Sequence, residues 1–88
     1  MPYIKQERRE RIDLLISKLS SELIGMNWTA GDLNYVIFRL MVFLFHWKPG
    51  YQTVNDFRGA LACTWDEFYR RVAAPYEDKK ILENGDVL

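Results

Sequence analysis

The sequence predicts an all-α fold, a small bundle of three long helices plus a short C-terminal helix, in a single helical domain over residues 1–88. Three observations carry this. The run Val36–Trp47 has ten apolar residues in twelve and one charge, Arg39, and a helix that is apolar all round is a buried helix. Before it, Ile12, Leu15, Ile16, Leu19 and Leu23 recur at helical spacings of three and four. No segment alternates with the period of two that a half-buried strand requires.

Met1-Pro2-Tyr3-Ile4 reads as an extended lead-in, since Pro2 disfavours helix at the residue before it. The first helix is expected from about Gln6, with Arg8, Arg9, Arg11, Asp13, Lys18 and Glu22 on its polar sides and Gly25 as its stop. Met26-Asn27-Trp28 is a short connection. Thr29 is the N-cap of the second helix, with Asp32 three residues on to return the hydrogen bond and to suit the positive helix end. Gly31 is a poor early-helix residue, which allows the start to slip to Asp32. Lys48-Pro49-Gly50 ends this helix. The third helix takes Thr53 as its cap and buries Phe57, Leu61, Thr64 or Trp65, Phe68 and Val72. Gly59, Ala60 and Ala62 give it a small-residue face. Pro75 breaks or kinks it and suits the first turn of a new helix, Tyr76 to about Leu82, before Glu83-Asn84-Gly85-Asp86.

The second helix is expected to be the most buried element, with Ile37, Leu40, Met41 and Leu44 inside. It is shorter than the roughly 20 apolar residues that span a bilayer, and Arg39 is costly in lipid. Twelve basic and twelve acidic residues cancel, so no global charge points to nucleic acid or to an anionic membrane. One cysteine, Cys63, forms no intramolecular disulfide, and no apolar leader follows the charged start. The expected setting is the cytoplasm. A hydrophobic fraction of 49% with three Trp, five Phe and five Tyr is more than 88 residues readily hide. That surplus predicts a homo-oligomer, most simply a twofold dimer, with Phe43, Phe45, Trp47 and Tyr51 as interface candidates.

Chemistry-bearing residues are sparse. His46 stands alone, Cys63 has no visible base partner, and no metal-ligand spacing occurs, so catalytic residues, cofactor and metal are all expected to be none. Arg39 needs a partner if buried, and Glu67 or Asp66 is expected to supply one; the alternative is an anion-binding arginine in a cleft. Glu67, Tyr69, Arg70, Arg71 and Tyr76 gather around the Pro75 kink. Tyrosine and arginine together anchor protein interfaces, stack on bases and hold phosphates. The solvated alternative is a helical surface in which Glu67 pairs with Arg70 or Arg71.

The blocks Pro2-Tyr-Ile4, Gly31-Asp-Leu-Asn-Tyr35, Gly59-Ala-Leu61, Glu67-Phe-Tyr-Arg-Arg71, Pro75-Tyr-Glu-Asp-Lys-Lys-Ile81 and Glu83-Asn-Gly-Asp-Val87 span nearly the whole chain. Their order resembles a family of small uncharacterised proteins of bacteriophages, prophages and their hosts. The resemblance implies a phage-linked context and supplies no catalytic residues. Phe43 to Trp47, His46 included, falls outside its blocks. The expected function is a non-enzymatic helical interaction protein, self-associating, that binds or modulates a host or phage protein. The alternative is a small anion- or nucleotide-binding module, such as a phage sponge for a signalling nucleotide, built on Arg39, Tyr69, Arg70, Arg71 and Tyr76.

Overall fold

The structure, a computed structural model, describes residues 2–88. It is all-helical among those residues: α1 (Gln6–Gly25), α2 (Ala30–Trp47), α3 (Tyr51–Phe68) and α4 (Ala74–Asn84), with α3 and α4 joined through a π-helical turn over Tyr69–Ala73. The chain divides into two compact units. One is Tyr3–Val54, holding α1, α2 and the first turn of α3; the other is Asn55–Leu88, with Pro2 grouped to it.

In the Tyr3–Val54 unit, Lys5 caps α1. Its carbonyl accepts from the Arg8 and Arg9 backbone N–H groups at 3.1 and 3.2 Å. The Arg9 Nε donates to the Ile4 carbonyl at 2.6 Å and ties the lead-in to the helix. α1 ends at Gly25, but the left-handed residue that stops it is Asn27, at φ 57°. The Asn27 N–H donates to the Ile24 carbonyl and the Trp28 N–H to the Leu23 carbonyl, the paired bonds of a Schellman stop.

Thr29 follows at once as the cap of α2. Its hydroxyl accepts from the Asp32 N–H at 3.2 Å, and the Asp32 carboxylate accepts from the Thr29 N–H at 2.9 Å. This capping box starts the helix at Ala30, so Gly31 does not delay it. Trp28 therefore serves two ends. By position it pairs with Leu23 in the stop of α1 and with Leu33 at the start of α2, as the apolar residues of those two motifs. Both leucines line one groove with Trp28.

Gly50, at φ 137°, takes a conformation that side chains resist, and its carbonyl accepts from the Val54 N–H. α3 thus begins at Tyr51, two residues before the expected cap, Thr53, which lies inside the first turn.

In the Asn55–Leu88 unit, Pro75 does not break the helix. A proline has no N–H and its ring crowds the carbonyl four residues back, here that of Arg71. The chain absorbs this by widening one turn: the Ala74 N–H donates to the Tyr69 carbonyl, five residues back. The helix then continues as α4, with Pro75 in its first turn, and ends at Asn84 before Gly85 at φ 88°. Thr64 faces out, its hydroxyl donating to the Ala60 carbonyl at 2.7 Å.

Burial departs furthest from expectation. No hydrophobic side chain among the described residues is buried; the one buried residue is Thr53. Ile37 and Met41 are only half-buried, while Leu40 and Leu44 are exposed, so α2 is not an interior helix within one chain. The reason is local. The corner at Trp28 sets α1 and α2 apart, and only Leu23 of α1 is even half-buried.

Candidate interaction surface

The Tyr3–Val54 unit exposes many large apolar side chains. Twenty-nine large apolar residues are exposed among those described, and nineteen of them lie in this unit. On α1 they include Ile12, Leu15, Ile16 and Leu19. On α2 the run Leu33, Ile37, Leu40, Leu44, Trp47 repeats at four, three, four and three. One helix face holds residues so spaced, and all but Ile37 are exposed. The corner groove, of about 280 Å³, is lined by Ser20, Leu23, Ile24, Trp28 and Leu33.

Of the interface candidates at the end of α2, Trp47 is 84% and Tyr51 90% exposed, Phe43 is exposed, and Phe45 is half-buried. Arg39 is exposed. Its guanidinium lies 5.0 Å from the centre of the Phe43 ring and 5.9 Å from that of Tyr35. The expected internal ion pair therefore loses its motive, because an exposed guanidinium has no desolvation cost to offset. The signal for the actual arrangement was in the sequence: Tyr35, Arg39 and Phe43 are each four residues apart.

In the Asn55–Leu88 unit the polar candidates are matched locally. The Arg70 guanidinium pairs with the half-buried Glu67 carboxylate at 2.5 Å. Tyr69 donates its phenol to the Glu77 carboxylate. That bond, with the Glu77 charge, slight burial and then Asp78, raises the Tyr69 pKa above its ordinary value. Lys80 pairs with Glu83 at 3.1 Å and lies over the Tyr76 ring. Trp65 stacks on Phe68 and sits near Tyr69, each with ring centres 6.2 Å apart. Trp65, expected as one choice for the buried stripe of the third helix, is instead exposed on this surface, and Glu77 acts on Tyr69. Arg71 and Tyr76 are exposed on the same helix.

His46 is exposed, and Cys63 is a half-buried free thiol. Among the described residues no three potential ligands cluster to hold a metal, and no helix is long and apolar enough to cross a membrane.

The family model described as "Domain of unknown function (DUF6899)" matches residues 1–87. No curated protein and no solved structure matches the chain.

Proposed function

The chain belongs to this family of unknown function, and from that premise we propose that it is a non-enzymatic helical interaction protein that self-associates and binds a second, different protein. The observation that supports this is the missing interior: among the described residues, most of them helical, no hydrophobic side chain is buried. Hydrophobic burial is the dominant favourable term in folding, and helices of this length owe most of their stability to packing. Helices with no interior of their own need a surface from outside. The expected bundle is accordingly proposed to form between chains. The phage-linked setting rests on the resemblance of the sequence blocks, and the host cytoplasm is the compartment it would imply.

The anion-binding alternative is weaker on the geometry. Arg70 is already paired with Glu67, so an anion there competes with that carboxylate.

Sedimentation and thermal melts over a range of micromolar concentrations test self-association. A folded oligomer whose melting temperature rises with concentration is expected. A monomer with a concentration-independent melt ends the proposal. Co-purification from phage-infected cells, read for proteins and for small molecules, separates a protein partner from an anion.

A further inference from the structure

Resting on that reading of self-association, we infer that α2 is covered by α2 of a second copy, the two helices antiparallel about a twofold axis near Leu40. The exposed stripe Leu33, Ile37, Leu40, Leu44, Trp47 has the alternating four–three spacing of a helix–helix seam. At 1.5 Å per residue the fourteen steps from Leu33 to Trp47 span about 21 Å. Most of it lies open within its own unit, where four of its five residues are exposed and Ile37 is half-buried.

Charge selects the same occupant and its direction. The net charge is zero, so copies do not repel one another. Asp32 opens α2 and Lys48 follows its end. Antiparallel pairing brings each Asp32 toward the Lys48 of the other copy and opposes the helix dipoles, whereas parallel pairing sets like ends together. Arg39 lies off the stripe, over Tyr35 and Phe43, where its charge stays at the rim of the contact. In a twofold contact of this kind Leu40 meets its own copy.

The test uses the full chain with Cys63→Ser, carrying either Leu40→Cys or Leu82→Cys, alongside Leu40→Glu and Leu82→Glu. Leu82 is 86% exposed on α4 and serves as the control. Placing a charge in the seam by Leu40→Glu is expected to weaken the dimer at least about 100-fold, with Leu82→Glu close to wild type. Should Leu40→Glu fail to fold, the cysteine pair still decides. Leu40→Cys is expected to oxidise to a linked dimer and to resist alkylation about tenfold more than in denaturant, while Leu82→Cys reacts freely. A dimer that tolerates Leu40→Glu and leaves the Leu40→Cys thiol reactive overturns the seam and leaves self-association standing. A wild-type chain that is monomeric throughout overturns both. A monomer whose Leu40→Cys thiol is shielded only by added phosphatidylglycerol vesicles overturns the second copy in favour of lipid.

Discussion

Residues 3–54 and Asn55–Leu88 are both helical, yet they use their side chains in opposite ways. The first unit spends its specific interactions on one corner, where a Schellman stop, a capping box and Trp28 fix how α1 gives way to α2. Its helix faces are left apolar and open. The second distributes its interactions along one long helix: Glu67 with Arg70, Tyr69 with Glu77, Lys80 with Glu83, and a widened turn that absorbs Pro75. A helix that satisfies its own charges is suited to water. A pair of helices held apart with apolar faces is suited to another protein surface. The contrast teaches that helicity alone does not define the role of a segment; where its unsatisfied surface lies does.

The largest expected effect breaks the contrast at its apolar end. If the face of α2 is covered on assembly, Leu40→Ala costs about 2–5 kcal/mol of dimer stability through the cavity it leaves. If the face stays as open as it is in one chain, the cost falls within about 0.5 kcal/mol. Concentration-dependent denaturation distinguishes these.

Pro75→Ala probes the other end. With an N–H restored at position 75, the wide turn can close to a regular one, and stability is expected to rise by up to about 3 kcal/mol. Hydrogen exchange over residues 69–75, with melts, follows it. Unchanged stability and exchange would show that the wide turn does not depend on the proline.

Thr29→Ala removes one half of the capping box and should cost about 1 kcal/mol, read from chemical denaturation. A negligible loss would mean that Trp28 and its apolar neighbours hold the corner unaided. Arg39→Ala should cost about 0.5–1 kcal/mol, the worth of an exposed cation over aromatic rings. A loss of about 3–5 kcal/mol would instead mark Arg39 as half of an ion pair buried on assembly.

The smallest effect is a pH dependence in the second unit. Tyr69 has its pKa raised in the folded chain by donating to Glu77. The stability this contributes is fully present below the unfolded tyrosine value of about 10 and is lost as pH rises through the higher folded value. Phenolate absorbance should show one tyrosine ionising late, and Glu77→Gln should remove that late component. A late component that survives Glu77→Gln assigns the shift to another group.

The sequence by itself determined where α1 stops and where α2 begins and ends. Thr29 with Asp32, and Pro49 before Gly50, act through partners no more than a few residues away, so their effects are legible in one dimension. The spacing of Tyr35, Arg39 and Phe43, and of Glu67 and Arg70, was legible for the same reason. Only the tertiary structure decided three things: that the helix runs on through Pro75, that Arg39 rests on rings at the surface, and that no hydrophobic side chain of the described chain is buried. The first depends on whether a turn can widen as well as break. The other two depend on what lies across from a helix face. Periodicity says which residues need cover, and the hydrophobic effect that makes them need it is non-directional, so it does not say which surface supplies that cover.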